Sequence, residues 1–119
     1  MELARYGGAG LVGTGVHYTV LTLLLKSTPL TVISASTVGA VIGAAVNYYL
    51  NYFFTFHSTR NHRHTFLRFW MVALLSWVIN AAMLLLTLKT LDIKPILNQL
   101  IATGATFFVT FYLNRKWTF

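Results

Sequence analysis

The amino-acid sequence predicts an all-α integral membrane protein with four transmembrane helices, built as two tandem two-helix repeats of the same orientation. Three observations predict this fold. Hydrophobic residues make up 56% of the chain and charged residues only 9%, whereas charged residues are about 25% of a typical soluble domain. Four long segments contain no Asp, Glu, Lys or Arg, and the second half of the chain repeats the first.

The four uncharged segments define the helices in order. They cover residues 6–25, 27–59, 69–88 and 95–114. Because a spanning helix needs about 20 mostly apolar residues, we predict transmembrane helices at residues 5–26, 31–56, 68–88 and 95–115. The second segment is longer than one span requires, and its end is rich in aromatic residues. Aromatic rings favour the lipid headgroup region, so we place residues 52–56 at the membrane interface.

The internal repeat is clearest at the ends of its two copies. Residues 49–56 read Tyr-Leu-Asn-Tyr-Phe-Phe-Thr-Phe, and residues 112–119, shifted by 63 (112 − 49), read Tyr-Leu-Asn-Arg-Lys-Trp-Thr-Phe. The same shift places Arg5 on Arg68 without a gap. We therefore predict one membrane domain, residues 1–119, with repeat one at 5–60 and repeat two at 68–119. An even number of helices in each repeat predicts that both copies run in the same direction.

Basic residues predict the orientation in the membrane. Six lie near the two termini and the middle loop: Arg5, Arg60, Arg63, Arg68, Arg115 and Lys116. Three lie on the opposite side: Lys26, Lys89 and Lys94. The positive-inside rule then places both termini and the middle loop in the cytoplasm. Because the charges behind the net +7 flank the spans rather than form one patch, we predict no nucleic-acid partner.

Small and polar residues recur every four positions along the second helix and, at the same shift, along the fourth. The positions are Ala35, Gly39, Gly43, Asn47, Asn51 and Thr55, then Asn98, Ala102, Thr106, Thr110, Asn114 and Thr118. This spacing puts each set on one helix face. Gly39 and Gly43 form a G-x-x-x-G element, which favours close helix packing. The asparagines either bond between helices or line a polar groove, and the sequence leaves both interpretations open.

Two further polar residues align near the middle of the first and third spans. His17 follows Arg5 by twelve positions, and Asn80 follows Arg68 by the same number. An ionisable residue inside a membrane is a functional hypothesis by default. For His17 we favour a neutral imidazole bonded to a neighbouring hydroxyl over a proton relay.

The sequence predicts no enzyme, no cofactor and no metal site. It has no cysteine and no evident nucleophile–base pair. The histidines of the middle loop, His57, His62 and His64, have no acidic residue near them in the sequence that would complete a metal site.

The charge distribution favours an anionic ligand. No acidic residue lies in a predicted span. Basic and amide side chains gather at the cytoplasmic helix ends: Arg5, Arg68, Arg115, Lys116, Asn51 and Asn114, with Trp117 beside them. Arginine binds phosphate through two parallel hydrogen bonds, and lysine acts as a point charge. The alternative is that these residues only anchor the helix ends to lipid phosphates.

These residues together resemble the GtrA-like family of small four-helix membrane proteins. The resemblance rests on the Arg-Tyr and Arg-Phe pairs at 5–6 and 68–69, and on the Asn-x-x-(Phe/Trp)-Thr-Phe ends at 51–56 and 114–119. It covers essentially the whole chain. The second copy has the fuller Asn-Arg-x-Trp-x-Phe form, whereas the first has Tyr52 and Phe53 in place of the basic residues.

The resemblance implies a part in the synthesis of cell-surface polysaccharide, such as the O-antigen of lipopolysaccharide, in the bacterial cytoplasmic (inner) membrane. Such proteins are expected to flip a polyprenyl-phosphate-linked sugar, such as undecaprenyl-phosphate-glucose, to the outer leaflet. The phosphate would bind at Arg5, Arg68, Arg115, Lys116, Asn51 and Asn114. The substrate would pass His17, Asn47, Asn80, Thr110 and Trp117.

The expected partners are the lipid-linked sugar, membrane lipids, other copies of the chain in a homo-oligomer, and a glycosyltransferase. Two other functions stay open. One is a membrane adaptor that recruits the glycosyltransferase and transports nothing. The other is a small cation exporter, which the absence of acidic residues from the spans makes the less favoured interpretation.

Overall fold

The structure, a computed structural model, describes all 119 residues. It contains four α-helices: α1 (Glu2–Ser27), α2 (Val32–Leu50), α3 (His62–Thr90) and α4 (Pro95–Leu113). Helices α2 and α4 each continue into one turn of π-helix, which we call the first π-turn (Asn51–Thr55) and the second π-turn (Asn114–Thr118). There is no β-strand, and all four helices are long and apolar enough to cross a bilayer. The predicted all-α, four-span class is confirmed.

The chain divides into two compact units, Met1–Ser58 (unit one) and Thr59–Phe119 (unit two). Each unit is a helical hairpin that ends in a π-turn. The second helices of the two hairpins have the same bounds under the shift of 63, since Val32 corresponds to Pro95 and Leu50 to Leu113. The common orientation of the two repeats stays a prediction.

The second helices of the two hairpins begin differently. The N-cap of α2 is Thr31, whose side chain accepts a hydrogen bond of 3.2 Å from the Ser34 backbone N–H. Helix α4 instead starts at Pro95, which needs no hydrogen-bond acceptor at this position because it has no N–H. Two chemically different starts therefore produce helices of the same length.

Helix α3 begins six residues earlier than predicted. It starts at His62, where the Asn61 side chain accepts a hydrogen bond of 2.9 Å from the Arg63 N–H. The predicted start at Arg68 was taken from the edge of the uncharged segment. This edge marks where the chain enters the membrane, whereas the helical backbone begins before it. The predicted end of the fourth helix, residue 115, falls within the second π-turn. The predicted end of the second helix, residue 56, lies one residue beyond the first π-turn.

Helices α1 and α2 pack through glycine. A Cβ atom added at Gly39 would lie 2.6 Å from the His17 carbonyl oxygen, and one at Gly13 would lie 2.8 Å from the Gly43 carbonyl oxygen. A Cβ atom at Gly43 would collide with the Gly13 carbonyl oxygen. Because these neighbours are backbone atoms, they cannot move aside without moving a helix. The predicted packing role of Gly39 and Gly43 is confirmed.

Unit two has larger residues at the same positions of its second helix. Ala102 and Thr106 are buried where unit one has Gly39 and Gly43. The Thr106 hydroxyl donates to the Ala102 carbonyl (2.7 Å), and the Thr110 hydroxyl donates to the Thr106 carbonyl (2.9 Å). These bonds within the helix satisfy the hydroxyls in apolar surroundings. The side chains exclude the glycine-type backbone contact of unit one at this level.

Large apolar side chains cover the outside of the helices. Leu11, Ile33 and Trp77 are 76%, 80% and 69% exposed, respectively. So large an exposed apolar surface is unfavourable in water but matches lipid hydrocarbon. The buried positions are instead mostly small or polar, which is how membrane helices associate.

Candidate functional site

The structure places an arginine against the π-turn of each unit. In unit one, Arg5 Nη1 donates to the Phe54 carbonyl oxygen, 3.4 Å away. In unit two, Arg68 Nη1 donates to the Trp117 carbonyl oxygen, 3.0 Å away. Both pairs correspond under the shift of 63. Carbonyl groups in the last turn of a helix lack an intrahelical donor and favour cations, so the two arginines stabilise the ends of both hairpins in the same way.

An aromatic contact beside each arginine also repeats. The rings of Tyr6 and Phe56 lie 6.0 Å apart between centroids, and those of Phe69 and Phe119 lie 6.2 Å apart. Each of these phenylalanines donates its backbone N–H to the asparagine that opens the π-turn, Asn51 or Asn114, at 2.9 Å. The aromatic residue after each arginine thus packs against the phenylalanine that follows the π-turn.

Unit two gathers positive charge around the second π-turn. Arg60 Nη1 also donates to the Trp117 carbonyl oxygen, 2.7 Å away, so this oxygen accepts from two guanidinium groups. The Arg68 guanidinium carbon lies 5.3 Å from the centre of the Trp117 ring, a cation–π contact. Arg115 and Lys116 belong to the same π-turn and are exposed. Four cationic side chains therefore belong to one hairpin end, and Arg60 was not among the predicted site residues.

The first π-turn has different chemistry. Tyr52 and Phe53 stand where unit two has Arg115 and Lys116. The rings of Tyr49 and Phe53 stack nearly parallel, with centroids 6.4 Å apart. The Arg5 Nη1 group lies 3.3 Å from His57 Nε2, and His57 has a left-handed backbone with φ of 46°. This end therefore carries one arginine and an aromatic surface.

The predicted ligand-binding asparagines lie inside their own units. Asn51 is 0% exposed and Asn114 is 2% exposed. The Asn51 amide donates to the Asn47 backbone oxygen (3.0 Å) and to the Asn47 side-chain oxygen (2.8 Å). The Asn51 Oδ1 atom accepts no hydrogen bond. Among the predicted phosphate-binding residues, the arginines and lysine thus lie at the surface or partly so, whereas the two asparagines do not.

A polar contact joins the two helices of each hairpin inside the membrane-spanning region. His17 Nε2 lies 3.2 Å from Ser36 Oγ, as the hydroxyl-bonded interpretation of His17 predicted. At the equivalent place in unit two, Gln99 Nε2 donates to Asn80 Oδ1, 3.3 Å away. Ser36 and Gln99 were not predicted, although both are polar and correspond under the shift of 63. Applying the repeat to every polar residue of the spans would have found them.

The remaining predicted pathway residues differ in accessibility. Asn47 is half-buried, and its side-chain oxygen accepts from Asn51. Thr110 is buried, and its hydroxyl is bonded within α4. Trp117 is exposed, with its ring under the Arg68 guanidinium.

Residues 5–119 match the model of the GtrA/DPMS transmembrane domain family. The chain belongs to this family. The matched range contains both arginines and both π-turns of this chain, and all of its helices except the first three residues of α1. No curated protein and no solved structure shows significant similarity to the chain. Membership of the GtrA/DPMS family supports a membrane role connected with glycosylation, in a family whose members are generally non-catalytic.

Proposed function

We propose that this protein flips a polyprenyl-phosphate-linked sugar, such as undecaprenyl-phosphate-glucose, across the bacterial cytoplasmic membrane for the glycosylation of cell-surface polysaccharide. Family membership supports the coarser part of this proposal, a glycosylation-related function in a membrane. The finer part rests on the chemistry of the second π-turn. The protein transports its substrate and does not modify it covalently.

The Arg68 environment carries the proposal. Its guanidinium group donates through Nη1 to the Trp117 carbonyl and lies over the Trp117 ring. A guanidinium group has five N–H donors, so most of the donors of Arg68 stay available for a ligand. A phosphate accepts two parallel bonds from such a group, and nearby cations strengthen the attraction. Arg115 and Lys116 supply these cations from the π-turn itself.

The rest of the proposed substrate route follows the polar residues of both hairpins. Arg5 provides the equivalent cation of unit one, and Asn51 and Asn114 position the two π-turns that carry the binding groups. The sugar passes His17, Asn47, Asn80, Thr110 and Trp117. The chain acts as a homo-oligomer with both termini in the cytoplasm, and a glycosyltransferase on the outer face uses the product.

The test is leaflet exchange of a fluorescent polyprenyl-phosphate-glucose by the purified protein in liposomes. Exchange should exceed that of empty liposomes, and Arg68→Ala should lower its rate at least about tenfold, because a charge-assisted bidentate contact is lost. Lys89→Ala is the matched control, since it removes one positive charge from the other end of the same helix. It should keep most of the activity.

The adaptor function makes the opposite prediction. Folded protein would then give no exchange above empty liposomes with any polyprenyl-phosphate sugar. A co-purifying glycosyltransferase whose activity depends on this chain would replace transport as the proposed function.

A further inference from the structure

A cluster of three polar side chains lies within the spanning helices of unit two. Gln99 Nε2 donates one hydrogen bond to Asn80 Oδ1 (3.3 Å) and a second to Thr103 Oγ1 (2.9 Å). Asn80 belongs to α3, and the other two residues belong to α4. We call these three residues the amide cluster.

The amide cluster contains more polar groups than are needed to join α3 and α4. At the equivalent place in unit one, a single contact between His17 and Ser36 joins α1 and α2. Ala40 stands where unit two has Thr103. One imidazole and one hydroxyl therefore join the first hairpin, whereas the second has two carboxamides and a hydroxyl. The additional groups need another explanation.

Part of the hydrogen-bonding capacity of the amide cluster is unused within unit two. The hydrogen bonds of Asn80 and Gln99 within unit two use Asn80 Oδ1 and Gln99 Nε2, which leaves the Asn80 Nδ2 group and the Gln99 Oε1 atom without a partner in this unit. Asn80 and Gln99 are half-buried and Thr103 is exposed, so the cluster is open to the outside of the helices. Unpaired amide groups are strongly unfavourable in lipid hydrocarbon. The cluster therefore requires a polar partner from outside unit two.

We propose that the amide cluster binds the sugar hydroxyls of the lipid-linked substrate, an inference that rests on the proposed function. Each carboxamide offers a donor and an acceptor, and each sugar hydroxyl does the same, so the two kinds of group pair directly. The cluster itself contains no cation, so it lacks the charge-assisted donors that favour phosphate binding. A second copy of the chain is the other occupant that would satisfy the amides, and the test separates it.

The amide cluster lies near the middle of the predicted span, so the sugar would reach it part-way across the membrane. Asn80 follows Arg68 by twelve residues on α3, which is about 18 Å along the helix axis. The phosphate and sugar of one lipid are directly bonded and cannot occupy both places at once. The sugar therefore reaches the cluster after the phosphate has left Arg68. Loss of the cluster should slow crossing more than it weakens binding from the cytoplasmic leaflet.

The test compares two lipids in the liposome assay: polyprenyl-phosphate-glucose and the same lipid with its glucose hydroxyls methylated. Methylation removes the donors of the sugar and keeps its ring. Gln99→Leu should lower the exchange rate of the glucose lipid about tenfold and leave the rate of the methylated lipid within about twofold, as expected for losing hydrogen bonds of ordinary strength. Ser36→Ala, the equivalent change in unit one, should affect both lipids by the same factor.

A second variant covers the case in which Gln99→Leu does not fold. Thr103→Val keeps the shape of an exposed side chain and removes its hydroxyl, and it should slow only the glucose lipid, by about threefold. Equal effects of these variants on both lipids, or a changed oligomeric state with unchanged lipid selectivity, would overturn the inference while leaving transport intact. Absence of exchange by the wild-type protein with either lipid would overturn the proposed function and the inference together.

Discussion

The two hairpins share a set of internal contacts and differ in the side chains around those contacts. Under a shift of 63 residues, the same three contacts occur in both. The arginine meets a π-turn carbonyl, and the aromatic ring after the arginine meets the final phenylalanine. A polar contact also joins the two helices, His17 with Ser36 or Asn80 with Gln99, and we call it the polar bridge. Contacts that recur in both copies are explained by folding of the hairpin, whatever further role their side chains have. Groups found in only one copy are not required by the shared hairpin, so each needs a separate explanation in packing or in ligand binding.

The groups found in one copy fall at two places. The second π-turn has Arg115 and Lys116 where the first has Tyr52 and Phe53, and the second polar bridge has the additional hydroxyl of Thr103. Both differences lie in unit two and add polar or charged groups. Unit one, in turn, has the glycine contact that unit two lacks. Unit one therefore has the closer helix packing, and under the proposed function unit two supplies the main ligand contacts.

The largest expected effect is on the glycine contact. Gly43→Thr introduces into unit one the residue that unit two has at the equivalent position, Thr106. It should destabilise the protein by about 3 kcal/mol or more, because the added Cβ meets backbone at Gly13, which cannot relax locally. The midpoint of unfolding in mixed micelles measures the change. An unfolding midpoint equal to that of the wild type would show that unit one does not depend on the close approach of α1 and α2 at Gly43.

Gly104→Ala is the matched control for this variant. A Cβ atom built at Gly104 meets no atom within 4 Å beyond the adjacent residues and the backbone of its own helix turn. Its unfolding midpoint should stay the same or rise slightly, since alanine is favoured over glycine in a helix by up to about 1 kcal/mol.

The second prediction compares the two arginines. Arg68→Ala should reduce leaflet exchange at least about tenfold, and Arg5→Ala only about threefold, because the first π-turn has Tyr52 and Phe53 where the second has Arg115 and Lys116 to support a phosphate. Phe53→Lys, at an exposed position, should raise the residual activity of the Arg68→Ala variant. Equal losses from both arginine variants would contradict the functional difference between the units.

The third prediction concerns the starts of α2 and α4. Thr31→Ala removes the side chain that accepts from the Ser34 N–H and should destabilise unit one by about 1 kcal/mol. Lys94→Ala at the equivalent position should change stability by less, because Lys94 makes no side-chain capping bond. Unfolding of the two variants under identical detergent conditions measures both values.

The smallest effect is expected from exchanging the polar bridges. The double substitution His17→Asn and Ser36→Gln gives unit one the pair found in unit two. Bonds between membrane helices contribute only about 0.6 kcal/mol on average, so the double variant should unfold within about 1 kcal/mol of the wild type. Each single substitution should be worse than the pair. Additive effects in the double-mutant cycle would show that the two residues do not interact.

The fold was predictable because a spanning helix leaves a direct signal, a long segment without charged residues. The bounds were less predictable where the helix continues beyond the membrane, as at His62, since polar residues such as Arg63 and His64 are compatible with helix. The π-turns were not predicted, because they are defined by a backbone bond to Asn51 or Asn114 from the residue five positions later. No residue type in the sequence marks such a bond.

The candidate site was predicted in part. Charge patterning alone singled out Arg68 and its neighbours, and the repeat drew attention to His17 and Asn80. Arg60 was treated only as an orientation signal, because its contact with the Trp117 carbonyl joins residues 57 positions apart. The burial of Asn51 was not foreseen either, since the sequence does not reveal whether an amide bonds within its own helix or faces a ligand.

The equivalent positions of the two π-turns also bear on the origin of the repeat. A π-turn has one more residue than an α-helical turn would need, and both hairpins have it at the same place, after Leu50 and after Leu113. The simplest account is a single insertion in an ancestral hairpin, followed by duplication of the gene segment. The replacement of Tyr52 and Phe53 by basic residues, or the reverse, then came after the duplication. On this account, the arginine, the terminal phenylalanine and the widened last turn, which both copies share, were present before the duplication.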